Sequence, residues 1–249
     1  MTTSPRLVPV VLQHGAGQDG EIWSEVAPRL RRPVHVHESP AHGGRFGDPL
    51  QTIEDLADDL VARTPDASDD FGSVFVGHSL GGAIVLQAAL DHPEAVLGAV
   101  IVCTGTPRAV DGRLREALEA RDLDAMVRMV RPAFVPLSGA VDPRHERSAE
   151  RLIRVWRRTG ARTIVADYLA VDTQQTLGRL RPLDVPVAVL GGEYDRLVPP
   201  RRVHELADAL GVEAQIVAGA SHQVPWEDPA LVAIATERVR TAAMGALVA

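Results

Sequence analysis

Three residues in this 249-residue chain have types and neighbours suited to nucleophilic catalysis. Ser79 stands in Gly77-His78-Ser79-Leu80-Gly81, a G-x-S-x-G run between the β-branched stretch 73–76 and the helix-forming stretch 83–90. A strand that turns sharply into a helix crowds the backbone around the middle residue. Glycines on both sides make room, the turn lifts the serine hydroxyl above the sheet, and the free N–H groups of the helix start face it. A hydroxyl is a weak nucleophile until a base takes its proton, and histidine suits that task because its pKa lies near neutrality. Of nine histidines, His222 is the best placed, in Gly219-Ala220-Ser221-His222 between a strand-like run, 214–217, and the last helical one. A histidine used this way needs a carboxylate to fix its tautomer and stabilise its cation. Asp195 follows the apolar run 185–190 in Gly191-Gly192-Glu193-Tyr194-Asp195; Glu193 is its nearest rival, and Asp167 and Asp172 are weaker ones. The chemistry these residues predict is acyl transfer to water through an acyl-enzyme on Ser79.

Residues so far apart can meet only if the fold gathers them. Runs 8–12, 33–37, 73–76, 95–104, 185–190 and 214–217 read as strands, and 22–30, 53–63, 83–90, 203–210 and 229–239 as helices. The apolar spacing Ile53, Leu56, Ala57, Leu60, Val61 is that of one helix face. Strands alternating with helices predict an α/β fold, three-layered and doubly wound, with a mostly parallel sheet of about six strands. Loops at the carboxyl ends of such strands gather at one rim, where Ser79, Asp195 and His222 would all lie. Segment 108–181 breaks the rhythm. It is arginine-rich, carries amphipathic pieces at 114–118, 125–130 and 152–158, and is too long for a connecting loop. The expectation is one domain, with a core of 1–107 and 182–249 and a small helical cap inserted at 108–181. Trp23, Val127, Met129, Phe134, Trp156 and Tyr168 are candidates to wall the substrate pocket, although helical Met and Val more often pack a cap's own core.

Taken together, the pattern resembles the α/β-hydrolase family over nearly the whole chain. Gly77 to Gly82 resembles that family's nucleophile elbow, Gly191 to Pro200 its acid loop, Gly219 to His222 its histidine loop, and Gln13-His14-Gly15-Ala16 its His-Gly turn. The resemblance implies that the backbone N–H groups of Ala16 and Leu80 form an oxyanion hole, and that neither metal nor organic cofactor takes part. The short and mostly aliphatic cap points to a small-molecule substrate, a carboxylic ester of small to medium size. Lactones, thioesters, amides and C–C bonds are served by the same triad in this family, and a non-catalytic ligand receptor is the reading from another class. Haloalkane dehalogenases and epoxide hydrolases place an aspartate where Ser79 stands. Two departures carry expectations of their own. The first strand-like run starts near Met1, so the family's N-terminal antiparallel hairpin is expected to be shortened. Ser221 replaces the glycine that commonly precedes the histidine, so a tilt of that loop is expected.

Composition narrows the alternatives. Net charge is −7 with no lysine, all 26 basic residues being arginine, and the pI is about 5.7, a poor match to a nucleic-acid backbone. Cys103 is the sole cysteine, which excludes an intrachain disulfide and a multi-cysteine zinc site; in its apolar run it reads as a buried hydrophobe. His35 and His37 share one strand face at period two, but no third ligand is spaced to join them in holding a metal. His14 reads as a shaper of the oxyanion loop, and His78 as structural support. No apolar stretch reaches membrane-span length and no signal segment is evident, so a cytoplasmic monomer or homodimer is expected, without membrane association.

Overall fold

The computed structural model describes residues 7–64, 72–106, 112–134, 142–173 and 179–247. The apolar runs form six strands: β1 (Val10–Gln13), β2 (Val34–His37), β3 (Ser73–His78), β4 (Val96–Val102), β5 (Val187–Gly192) and β6 (Ala214–Val217). Every neighbouring pair is parallel, in the order β2-β1-β3-β4-β5-β6. Strands β1 and β3 are buried along their whole length, as expected where helices cover both faces.

Successive strand residues point to opposite faces, and two cores result. Val11, Phe75, Ala99, Ile101 and Val189 face α1 (Ile53–Ala62), α2 (Leu80–Asp91) and, later in the chain, the helix Pro200–Leu210. Val10, Leu12, Val74, Val76, Val100 and Val102 face the C-terminal helix Pro229–Ala246. Helix α2 is buried on every side from Leu80 to Leu90, which is why its sequence carries no polar stripe.

Among the described residues four helices lie between β4 and β5: α3 (Gly112–Glu119), α4 (Leu123–Phe134), α5 (Pro143–Thr159) and α6 (Ala161–Thr173). Their amphipathic stripes form a third cluster, with Leu114, Leu118, Met126, Val130, Leu152, Trp156, Ile164 and Tyr168 buried together. Asp142 caps α5 by accepting from Arg144 N–H, and Gly160 at φ 85° separates it from α6. After β5 come α7 (Pro200–Leu210), a short α8 (Val224–Glu227) and α9 (Pro229–Ala246). Among the described residues no helix is long and apolar enough to cross a membrane.

One helix expected from the sequence does not form. Residues 22–30 make two 3-10 turns, Gly20–Trp23 and Ala27–Arg29. Pro28 has no N–H to continue a helical ladder, and the apolar spacing there reflects burial of Ile22, Trp23 and Val26 against the sheet. Helices α6 and α8 have no separate counterpart in the sequence reading.

Candidate active site

From β1 the chain turns to β2 on one side, then returns to β3 on the other. The carboxyl ends of β1 and β3 flank this switch point, the usual ligand crevice of such sheets. Here the elbow is built by close backbone contact. A Cβ on Gly77 would lie 2.2 Å from Gly81 O, and one on Gly81 would lie 2.4 Å from Gln13 O. Only glycine lets β3, α2 and the end of β1 approach so closely. Ser79 takes φ 55° and ψ −118°, a conformation that costs a non-glycine residue on the order of 1–3 kcal/mol. It is held there by Ser79 N–H to Val102 O (2.8 Å) and by Thr104 Oγ1 donating to Ser79 O (2.7 Å).

The histidine loop lies equally close to β5, since a Cβ on Gly192 would meet Ser221 O at 2.0 Å. His222 Nε2 lies 3.0 Å from Ser79 Oγ, and its Nδ1 lies 2.6 Å from Asp195 Oδ2. Asp195 Oδ1 accepts from the N–H groups of Leu197 (2.9 Å) and Val198 (2.8 Å), so both carboxylate oxygens are committed. Histidine and aspartate are buried, while Ser79 is partly open. Glu193 is exposed and turned elsewhere, accepting from Gly219 N–H. Asp172 pairs with Arg115 on the inserted helices. Ser221 does not throw the imidazole out of line. Its N–H and Oγ both donate to the buried Glu227 carboxylate at 2.6 Å, which fastens the loop.

Three further histidines brace this rim. Burial, and then repulsion from His222, hold His78 down to about 3; it stays neutral between Gln18 Oε1 and His222 O. Burial holds His14 well below its usual range; its Nε2 accepts from Ser39 N–H while Nδ1 faces Gly15 O. His37 bridges Gln13 and Asp59, and half-buried His35 lies beside it. Burial pushes the Cys103 thiol well up. His78, Cys103 and His222 lie close enough to suggest a metal cluster, but both imidazoles are engaged in the hydrogen bonds above.

Ala16 follows β1 and Leu80 opens α2, so both lie at the switch point. In the turn after β1, the N–H groups of Gly15, Gly17 and Gln18 find acceptors in Gln18 Oε1, Asp167 Oδ2 and Gly15 O. Among the described residues Ala16 N–H and Leu80 N–H donate to no protein acceptor. Ser79 borders a cavity of about 20 Å³ lined by Ala16, Gln18, Leu152, Trp156, Leu197 and Gln223, with Tyr168 completing the wall. That is room for about one water. Of the aromatic candidates, Trp156 and Tyr168 line this cavity. Trp23 does not: it is fully buried in the core beneath α9. Met129 packs half-buried against the inserted helices' own cluster, and the Phe134 side chain lies outside the described residues. Val127 lines a separate gap of about 10 Å³ behind Leu152 and Trp156. The sequence reading missed Gln18, Leu152, Leu197 and Gln223, although Gln223 and Leu197 lie one and two residues from His222 and Asp195. A larger cleft of about 660 Å³ opens at the β2 edge, but its Arg45, Asp59 and His37 side chains pair with one another and none of the Ser79 group lines it.

This fold and this rim define a class. Residues 10–235 match the model of the alpha/beta hydrolase family, and the chain belongs to that family. Among curated proteins it is 31% identical over 226 residues to the pimeloyl-[acyl-carrier protein] methyl ester esterase of Sodalis glossinidius (strain morsitans), covering 86% of each chain. It is 28% identical to the enzyme of the same name from Edwardsiella ictaluri (strain 93-146), covering 86% of this chain and 85% of that one. Among solved structures, an N-acyl homoserine lactone degrading enzyme superposes with a TM-score of 0.78 at 25% identity, over 94% of this chain and 93% of that one. The enol-lactonase of Burkholderia xenovorans LB400 superposes at 0.81 and 21% identity, over 95% and 92%, and shares the fold.

Proposed function

We propose that Ser79 is the nucleophile, His222 the general base and acid, and Asp195 the residue that orients it. This chain is an ester-hydrolysing enzyme. His222 Nε2 takes the Ser79 proton as Oγ bonds to the ester carbonyl carbon, and the carbonyl oxygen becomes an anion held by the N–H groups of Ala16 and Leu80. As the tetrahedral intermediate collapses, the C–O bond to the leaving group breaks and His222 gives its proton to the departing alcohol. Water then attacks the acyl-enzyme, losing a proton to His222, and Ser79 leaves with that proton as the acid is released.

The observation that carries this reading is the unbroken relay, 3.0 Å from hydroxyl to imidazole and 2.6 Å from imidazole to a buried, doubly anchored carboxylate. Ser79→Ala abolishes covalent labelling by a fluorophosphonate and lowers ester turnover by roughly 10⁴-fold or more; labelling that persists at another residue overturns the assignment.

The acyl group is aliphatic and of small to medium size, because Leu152, Leu197 and Trp156 form much of the wall facing Ser79. A second reading places the ester on an acyl-carrier protein, as the relatives' names have it. It is favoured by charge: residues 108–181, proposed as a cap, hold 15 of the 26 arginines but only 10 of the 33 acidic residues. That basic insertion on an acidic chain suits an acidic carrier. A kcat/KM far higher for the carrier-borne than for the free methyl ester, and steeply salt-dependent, distinguishes the two.

A further inference from the structure

The peptide unit that follows Ala16 is gripped at both polar ends by the inserted helices. Its carbonyl, Ala16 O, accepts from Trp156 Nε1 of α5 at 3.3 Å. Its N–H, on Gly17, donates to Asp167 Oδ2 of α6 at 2.6 Å. Gly17 has φ 66°, and a Cβ there would meet Trp156 Nε1 at 2.6 Å, so the loop lies directly under α5. Asp167 is 2% exposed and His42 is 2% exposed; His42 Nε2 lies 3.0 Å from the same Oδ2. The other imidazole nitrogen, Nδ1, lies 2.9 Å from Pro40 O. Both neighbours of the ring are acceptors, and one is a carboxylate; burial would lower the ring's pKa, but Asp167 and the Pro40 carbonyl outweigh it and raise it above the ordinary value. The buried Asp167 carboxylate thus has a buried imidazole beside the same Oδ2 that accepts from Gly17 N–H.

We infer that Asp167 is a positioning residue for the oxyanion hole, acting from α6 through the Gly17 N–H, with Trp156 Nε1–H holding the other end of the same peptide. The inference rests on the reading of Ser79 and Ala16 given above. Turning that peptide changes ψ of Ala16 and so alters how the loop presents the Ala16 N–H to the developing oxyanion. Such a donor matters most where charge develops, so its misplacement is felt in the transition state more than in substrate binding. Opposite this loop, His145 of α5 lies 2.8 Å from Gly219 O, so the inserted helices also touch the histidine loop.

The test measures kcat and KM for p-nitrophenyl butyrate, per site titrated with a fluorophosphonate, together with Kd for a trifluoromethyl ketone that forms a tetrahedral adduct. Asp167→Ala is expected to lower kcat roughly 10- to 100-fold, to leave KM within about twofold, and to weaken the ketone by the same factor as kcat/KM. Asp167→Asn, whose Oδ1 can still accept from Gly17 N–H, recovers most of the loss. Trp156→Phe, which keeps a ring but removes the donor, lowers kcat by a smaller factor and serves if Asp167→Ala does not fold. Folded, titratable Asp167→Ala with kcat within about twofold of the parent overturns the inference. So does a rise in KM at constant kcat, or, where Asp167→Ala does not fold, unchanged kcat in Trp156→Phe. Failure of the unsubstituted protein to label at Ser79 overturns the underlying reading instead.

Discussion

The sheet rim and the inserted helices are held together in different ways. At the rim, backbone lies on backbone: Gly77 against Gly81, Gly81 against Gln13, and Gly192 against Ser221 leave no space for even a methyl group. In α3 to α6, side chain meets side chain. An aliphatic cluster with Trp156 and Tyr168 fills the inside, and half-exposed pairs such as Arg131–Glu146 and Arg115–Asp172 cover the outside. Surface pairs of this kind contribute little, typically about 0–1 kcal/mol, and aliphatic residues of similar volume exchange at modest cost. The rim can therefore hold one chemistry fixed while the helices above it vary the substrate. Among the contacts that join the two regions, Asp167 on Gly17 and His145 on Gly219 are polar and specific.

The largest effect should come from the carboxylate that serves the rim. Asp195→Asn lowers kcat about 10⁴-fold, because the imidazole loses the acceptor that fixes its tautomer. Glu193→Gln, two residues away but exposed and bonded to Gly219 N–H, leaves kcat within about threefold in the same assay. Similar losses in both variants would mean that the acid function is shared. A second contrast compares glycines. Gly81→Ala drives a Cβ against backbone oxygens of Gln13 and His14, which should destabilise the fold by about 3 kcal/mol or more. Gly160→Ala, at φ 85° with nothing within 4 Å, should cost only about 1–2 kcal/mol. Urea unfolding measures both; equal losses would erase the distinction between the regions.

That Ser79, Asp195 and His222 would meet at one rim was legible because each stands beside a turn with closely packed glycines. Strands β1 and β3 were legible for a related reason: fully buried parallel strands read as nearly plain apolar runs. What escaped the sequence depends on which side of the sheet a residue faces. Trp23 has the composition of a pocket aromatic, but it follows β1 onto the α9 face. The apolar spacing of 22–30 likewise records burial under the sheet and not a helix. Gln18 and Gln223 line the cavity through a side-chain contact 205 residues apart in the chain, and polar positions in loops follow no period. Asp167 was visible only as a spare carboxylate; its attachment to Gly17 spans 150 residues.

The last contrast is one of charge. His14 and His78 belong to the rim, and burial keeps both neutral, His78 down to about 3. The unfolded chain takes up protons on them near pH 6.5, while the folded chain does not. Below that pH the unfolded state binds more protons, so stability is full above about 6.5 and falls with acid, by up to about 1.4 kcal/mol per pH unit for each histidine. His42 sits at the seam, facing Asp167 of α6, His14 of the β1 turn and Glu38 of its own loop. Burial alone would lower it, yet Asp167 and the Pro40 carbonyl raise it above its ordinary value. Its contribution has the opposite sign, present below pH 6.5 and lost as pH rises through the raised value. Urea unfolding between pH 4.5 and 9, at intervals of about one unit, should therefore show His78→Asn flattening the acid side by about one proton. His42→Gln should flatten the alkaline side alone. If His42→Gln instead altered the acid side, His42 would be neutral in the fold, and the seam would be joined by hydrogen bonds without an ion pair.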